Sequence, residues 1–198
     1  FIFSINTGST SMDLDFIFEV DREVFIYLNS LGQSAFDSIW LLISDKKSSI
    51  PLYILIIYIM HKNLNSVDFF RTLVFIALLI LFTDQISGFF KDFSERLRPC
   101  HDDSINYKIR VVKQSCGGLY SFFSSHASNS FGLASFFYFL NRRKNNYIKL
   151  LFIWAFVVSY SRIYIGVHYP IDIICGGTFG IFSGFLFSSI LNKKFNVL

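Results

Sequence analysis

Charged residues are scarce in this sequence of 198 residues. Asp, Glu, Lys and Arg make up 16% of it, hydrophobic residues make up 53%, and 26 residues are phenylalanine. Soluble domains carry about 25% charged residues, so the chain has too little polar surface for a soluble monomer. The abundance of apolar side chains also excludes intrinsic disorder. A net charge of +4, scattered between apolar runs, is too weak a positive patch to predict nucleic-acid binding. The composition therefore predicts a small integral membrane protein.

Cysteine is also scarce, and the first residues contain no methionine. The three cysteines, at positions 100, 116 and 175, lack the paired spacing with Cys or His that would predict a zinc site. Residues 1–11 have no positively charged region ahead of an apolar core, so they do not resemble a signal peptide. We interpret residues 1–12 as a tail or a cloning remnant, and residues 13–198 as a single membrane domain.

Apolar runs predict an all-α fold, a bundle of membrane-spanning helices. The first run follows Pro51, which suits the first turn of a helix. We predict five spans, with six as the alternative, at residues 52–60, 69–90, 128–140, 147–164 and 171–191.

Two further segments are apolar on one face or too short to span a membrane alone. In residues 13–31, apolar side chains recur on one stripe, which predicts a helix lying in the membrane interface. The stripe consists of Phe16, Val20, Val24 and Leu28. Residues 36–43 are interpreted as interfacial, re-entrant or part of a sixth span.

Basic residues in short loops predict the orientation in the membrane. Loops 61–71 and 141–149 and the C-terminus carry basic residues with Asp68 as their only acid. Alternation across five spans puts them on one face, which we predict to be cytoplasmic. The opposite face has more basic residues, but most lie in residues 91–127 or near the N-terminus, where acids are also frequent.

The first of three polar stretches on the opposite face runs from Lys91 to Arg98 and Pro99. Lys91 and Arg98 are seven residues apart, about two helical turns, so they share one face if the helix continues. Pro99 then ends the helix. The alternative interpretation is a pair of interfacial cations that anchor a helix end.

The second stretch, Ser124, Ser125 and His126, leads into a predicted span. Small residues at a helix start leave backbone N–H groups free to bind an anion, and a neighbouring histidine can donate a proton to it. The alternative is an ordinary serine N-cap beside an uninvolved histidine.

The third stretch contains Ser161-Arg162, His168 and Asp172. Asp172 lies four residues after His168, the spacing of one helical face, so its carboxylate can reach the imidazole. Such a carboxylate fixes the tautomer and leaves the other ring nitrogen free to attack. The alternative is an Arg–Asp ion pair between helix ends, with an interfacial histidine.

The combined pattern, Lys-x6-Arg-Pro, then Ser-x-His, then Ser-Arg-x5-His-x3-Asp, resembles the type 2 phosphatidic acid phosphatase (PAP2) family over about residues 50–192. The third motif is the most specific. The second departs from the usual Pro-Ser-Gly-His, because this chain reads Phe123-Ser124-Ser125-His126. Ser125 adds a side chain beside the expected phosphate, and its hydroxyl can donate to the anion.

The resemblance implies a metal-independent phosphatase with a phosphohistidine intermediate and no cofactor. His168 would attack phosphorus, Asp172 would orient it, and His126 would protonate the leaving oxygen and then activate water. Three cations would stabilise the negative charge of the phosphate in place of a metal ion. The sequence also has no carboxylate cluster of metal-ligand type. The expected phosphate-binding residues are Lys91, Arg98, Ser124, Ser125 and Arg162.

The implied substrate is a phosphate monoester or diphosphate of a lipid. Candidates are an isoprenyl diphosphate carrier, a phosphorylated lipid A or a glycerolipid phosphate, the first two being favoured by family analogy. We expect a bacterial inner (cytoplasmic) membrane protein with its site on the periplasmic face and no obligatory protein partner. Related vanadate-dependent haloperoxidases are soluble, unlike this chain. The alternative function is a non-catalytic membrane binding or scaffold protein that retains the phosphate pocket.

Three residues outside the motifs also carry predictions. Cys100 and Cys116 lie in one loop, where Gly117-Gly118 can bend the chain back. On an extracytoplasmic face they would form a disulfide that holds Arg98 near the anion pocket. Asp84 lies within a predicted span, seven residues before Lys91. We interpret it as a structural partner of one site cation, with a catalytic role as the alternative.

Overall fold

Helices make up nearly all the regular structure of this protein. The computed structural model describes residues 8–113, 115–140, 146–195 and 197, and these contain no strand, which confirms the all-α fold. Short 3-10 turns join several of the helices. The helices are α1 (Gly8–Ser30), α2 (Asp37–Ser44), α3 (Ile50–Asn63), α4 (Ser66–Ser94), α5 (Ser125–Leu140), α6 (Leu150–Tyr164) and α7 (Pro170–Phe195).

Helices α3 to α7 occur where the five spans were predicted. In the described part of the chain, α4, α7 and the stretch Tyr147–Tyr164 are long and apolar enough to cross a membrane. Helices α3 and α5 have 14 and 16 residues, fewer than the roughly 20 of a full span. The protein therefore spans the membrane, and the number of five spans stays a prediction.

Helix α1 has one exposed apolar stripe and one buried stripe. Of the predicted stripe, Phe16, Val20 and Val24 are exposed, whereas Leu28 is half-buried and packs against the core. Asp21, Phe25 and Asn29 on the other side are buried. The interfacial location of α1 stays a prediction. The Asn29 side-chain amide donates to the carbonyls of Ile163 and Tyr164 at 3.0 Å each. These bonds fasten α1 to the end of α6.

Helix α2 is too short to cross a membrane by itself, since its eight residues rise about 12 Å. It packs on α6, and its last residue, Ser44, is buried.

Helices α5 and α7 approach closely because glycines and serines line their contact. A Cβ atom at Gly180 of α7 would overlap the carbonyl oxygen of Ser128 in α5. At Gly176 it would lie 2.6 Å from the carbonyl oxygen of Ser124. This contact places the start of α5 beside the start of α7. There the backbone N–H of Ser124 donates to the carbonyl of Asp172 at 3.0 Å.

The prediction that one helix carries both Lys91 and Arg98 is wrong. Helix α4 ends at Ser94, because Glu95 adopts a left-handed conformation with φ of 48°. The chain then runs extended, and the N–H of Arg98 donates to the carbonyl of Leu119 at 3.0 Å. Arg98 is thus positioned by the returning loop and not by the helix.

Candidate active site

A cavity of about 300 Å³ lies where the motif-bearing ends of α4, α5 and α6 meet. It brings together six of the eight predicted catalytic and phosphate-binding residues. Its lining residues are Lys46, Asp84, Lys91, Arg98, Ser125, His126, Arg162 and His168.

His168 and Asp172 are paired behind this cavity. Nδ1 of His168 lies 3.4 Å from Oδ2 of Asp172, and the two side chains are 2% and 0% exposed. The same carboxylate oxygen accepts the backbone N–H of Tyr169 at 3.0 Å, which fixes its orientation. Burial lowers the pKa of His168 well below its usual value, and the charge of Arg162 lowers it further. The imidazole is therefore neutral at pH 7 and can act as a nucleophile.

Arg162 and Arg98 both line the cavity, and each is held by a different part of the chain. Arg162, in the last turn of α6, is buried and donates from one guanidinium nitrogen to the hydroxyl of Ser44. Its Nε has no protein partner in the described residues, which leaves a donor for an anion. Arg98 is held by the carbonyls of Cys116 at 2.8 Å and Tyr120 at 3.1 Å. Burial lowers the pKa of Arg98, but an arginine remains charged.

The two serines of the second motif have different roles in the structure. Ser124 is fully buried and its hydroxyl accepts the N–H of Ala127 at 3.4 Å, so it is the N-cap of α5 and does not line the cavity. Ser125, the residue that departs from the family pattern, accepts a hydrogen bond from Nζ of Lys91 at 2.6 Å. Ser87 supports the same pair, with its hydroxyl 3.0 Å from that nitrogen. The extra hydroxyl of Ser125 therefore positions a cation of the cavity.

Comparison with known families matches residues 72–196, more than half of the chain, to the PAP2 superfamily. The chain belongs to the PAP2 superfamily. The predicted family is thereby confirmed.

Two curated relatives of this PAP2 protein are each called lipid A 4'-phosphatase. One, from Bacteroides thetaiotaomicron, is 35% identical over 182 residues, which are 91% of this chain and 80% of the relative. The other, from Porphyromonas gingivalis, is 35% identical over 175 residues, 86% of this chain and 72% of the relative. Together with the family, they identify this PAP2 protein as a membrane lipid phosphatase.

Two solved structures share the PAP2 fold with this chain. LpxE of Aquifex aeolicus aligns with a TM-score of 0.60 and 24% identity, covering 84% of this chain and 93% of LpxE. The first transmembrane PAP2-type phosphatidylglycerolphosphate phosphatase of Bacillus subtilis aligns with a TM-score of 0.67 and 21% identity. That alignment covers 90% of this chain and 87% of the other.

The sequence motifs missed a buried ion-pair network behind the PAP2 site. Arg96 donates to Asp172 at 2.8 Å and to Asp21 of α1 at 2.5 Å. The second oxygen of Asp21 accepts the backbone N–H of Ile171 at 2.9 Å. Burial raises the pKa of Asp21, and the hydrogen bond from Arg96 opposes that effect. Through Arg96, helix α1 is bonded to the carboxylate that faces His168.

Lys46 is a second residue that the motifs missed. It lies in the 3-10 turn Lys46–Ser49 between α2 and α3, far ahead of the first motif in the sequence. No motif of the sequence includes it. The structure gives the PAP2 cavity a fourth cation.

Asp84 lines the cavity but forms no ion pair within the described residues. Its oxygen Oδ1 accepts the side-chain amide of Asn129 at 2.9 Å. Its direct hydrogen bond is therefore to an amide, and its role as the structural partner of a site cation stays a prediction.

Cys100 and Cys116 form a disulfide, with Cα atoms 6.4 Å apart, and Cys175 is free. With His101, the two cysteines make up a group of metal-ligand type in the described residues. Because the disulfide uses both sulfur atoms, this group cannot ligate a metal through thiolates. The bridge adjoins Arg98 and closes the loop on which it lies.

Proposed function

We propose that this PAP2 phosphatase hydrolyses the 4'-phosphate monoester of lipid A through a phosphohistidine on His168. The observation that carries this chemistry is a single cavity shared by a carboxylate-backed imidazole, a second imidazole and a cluster of cations. The choice of lipid A is supported by the two relatives of that name, each 35% identical to this chain over most of its length.

The first step is attack by Nε2 of His168 on phosphorus, since Nδ1 faces Asp172. As the P–N bond forms, the P–O bond to the sugar breaks, and His126 gives its proton to the leaving oxygen. His126 then takes a proton from water, which attacks phosphorus, breaks the P–N bond and releases inorganic phosphate. His168 returns to its neutral state.

Lys91, Arg98 and Arg162 stabilise the charge that spreads over the phosphoryl oxygens. Phosphoryl transfer depends mainly on such positioning and charge stabilisation. Each cation is held before the substrate arrives, Lys91 by Ser125, Arg98 by two loop carbonyls and Arg162 by Ser44. Little rearrangement is therefore needed during the reaction.

We further propose that the site faces the periplasm from the inner membrane. The disulfide between Cys100 and Cys116 supports this side, because disulfides persist in oxidising compartments. The basic loop residues Lys62 and Arg71 and the C-terminal lysines support a cytoplasmic location for the other end.

The substrate is tested by phosphate release from purified protein in mild detergent with EDTA present. We expect lipid A to lose one phosphate from its distal sugar, identified by fragment masses, faster than phosphatidic acid or an isoprenyl diphosphate is hydrolysed. Vanadate should inhibit by occupying the phosphate cavity. Faster hydrolysis of either other lipid would refute the substrate, and loss of activity in EDTA with recovery in Mg²⁺ would refute the mechanism.

The role of His126 is tested by changing the leaving group. His126→Ala should lose much more activity on lipid A than on an aryl phosphate, whose leaving oxygen needs little protonation. His61→Ala is the matched control, because His61 is exposed and lies outside the cavity. Equal losses on both substrates would contradict proton donation by His126.

A further inference from the structure

A second, inner cavity of about 200 Å³ adjoins the phosphate cavity. The two cavities share Lys46, Asp84 and His126. The inner cavity extends along the helices away from the motifs, past Ile80 of α4 and Leu133 of α5. Its volume equals that of about seven water molecules, enough for one small polar group but not for a lipid tail.

The inner cavity combines hydrogen-bonding groups with aromatic rings. Asn129 lies beside Asp84, and Tyr53 and Trp154 form an edge-to-face pair with centroids 6.1 Å apart. Pockets that orient small ligands generally have such a mainly apolar wall with a few fixed polar groups.

The hydrogen bonds of Asp84 leave it an acceptor for a ligand. Asn129 donates to Oδ1 of Asp84 at 2.9 Å, and its own oxygen accepts the hydroxyl of Thr83 at 2.5 Å. The amide thus faces Asp84 with its nitrogen and Thr83 with its oxygen. In the described part of the chain, Oδ2 of Asp84 has no hydrogen bond to the protein. One oxygen therefore remains to accept a hydrogen bond.

The position of Asp84 is unfavourable if the cavity binds only a phosphate group. A carboxylate at the edge of the phosphate cavity repels a phosphate dianion, and a hydrogen bond donated to it by another part of the substrate would offset that repulsion. The inner cavity contacts His126 and not His168. In an in-line displacement the leaving oxygen lies opposite the nucleophile, on the side of His126. The leaving alcohol therefore faces Asp84.

We infer that Asp84 and Asn129 form a subsite for the leaving alcohol that recognises hydroxyl or amide donors of a sugar ring. The inference rests on the proposed function, and it names the residues that select a phosphorylated sugar over other phosphorylated lipids. A diacylglycerol phosphate has no free hydroxyl beside its phosphate, so it cannot satisfy Asp84. A phosphorylated hexosamine carries such donors and can.

The test compares kcat/KM for lipid A and for phosphatidic acid in the wild type and in Asp84→Asn. The carboxamide keeps the size of the side chain but removes its charge and one acceptor. We expect the ratio of the two values, lipid A over phosphatidic acid, to fall about tenfold to hundredfold, as for a lost hydrogen bond to a charged group. Asn129→Ala should lower the ratio in the same direction, because Asp84 then loses the amide that orients it.

Asp92→Asn is the matched control, since Asp92 is an exposed residue of the same helix and its substitution should leave the ratio unchanged.

Inhibition by inorganic phosphate gives a second readout. The phosphate Ki of Asp84→Asn should fall, because the substitution removes a carboxylate that repels phosphate; a rise would mean that Asp84 organises the cations instead. An unchanged ratio, or a raised Ki with equal losses on both lipids, would overturn the subsite alone. Wild-type protein that does not prefer lipid A would overturn the proposed function and the subsite together.

Discussion

Replacing Arg96 by methionine should destabilise the protein and slow its chemistry without weakening substrate binding. The substitution leaves the carboxylates of Asp21 and Asp172, which are 1% and 0% exposed, without their shared cation. Removing one partner of a buried ion pair costs about 3–5 kcal/mol. Each carboxylate keeps one backbone N–H bond, so we expect the lower end of that range, about 3 kcal/mol.

The effect on catalysis follows from the contact between Asp172 and His168. Complete loss of the carboxylate that orients a catalytic histidine costs about 10⁴ in kcat. Arg96 acts one contact further away, so we expect a loss of about 100-fold in kcat. KM should change little, because Arg96 does not line the phosphate cavity. Arg96→Lys, which keeps the charge but not the planar guanidinium, should recover part of the kcat.

The assay is steady-state hydrolysis of lipid A, with thermal unfolding in detergent measured on the same samples. Arg22→Met is the matched control, because Arg22 is 41% exposed in its ion pair with Asp102. An exposed pair of this kind contributes at most about 1 kcal/mol. An unchanged kcat in Arg96→Met, or a raised KM with kcat intact, would refute the positioning role of Arg96.

Three other predictions concern the nucleophile, the helix contact and the loop. His168→Ala should reduce turnover to background, and alkaline quenching in denaturing detergent, which preserves a phosphohistidine, should trap ³²P-labelled protein in the wild type and none in the variant; a tenth of the wild-type activity would contradict the assignment. Gly180→Ala should lower stability by about 1–3 kcal/mol and reduce activity, because its Cβ meets backbone that cannot move aside, whereas Gly88→Ala, with no atom within 4 Å, should do neither. Peptide mass mapping of non-reduced protein should find Cys100 linked to Cys116, a bridge worth about 3 kcal/mol in the chain-entropy model. Two freely alkylated thiols in protein prepared without reductant would exclude the bridge.

The sequence was sufficient to predict the fold class and most of the residues that line the candidate cavity, because the proposed chemistry depends on short motifs. Spacing alone paired His168 with Asp172, and the family resemblance linked them to His126 and Arg162, which line one cavity in the structure. Arg98 lines the cavity as predicted, but it does not lie on the same helix as Lys91, because that helix ends at Ser94. A left-handed glutamate ends it there, and no local pattern signals that turn.

The remaining site residues could not be predicted, since their roles arise from contacts between distant segments. Lys46 reaches the cavity from a turn that carries no motif, and Arg96 is bonded to an acid 75 residues earlier in the chain. Ser124 and Ser125 look equivalent in the sequence. Only the packing of α5 against α7 makes one of them a helix cap and the other a support for a cation.

The bond between Asp21 and the N–H of Ile171 joins α1 to α7, across 150 residues of sequence. During translation, α1 leaves the ribosome long before α7 is made. Until then Asp21 lacks its backbone partner, and Asp172, the carboxylate that faces His168, has not been synthesised. We therefore expect a truncated chain that ends before α7, and so lacks Asp172, not to hydrolyse lipid phosphates.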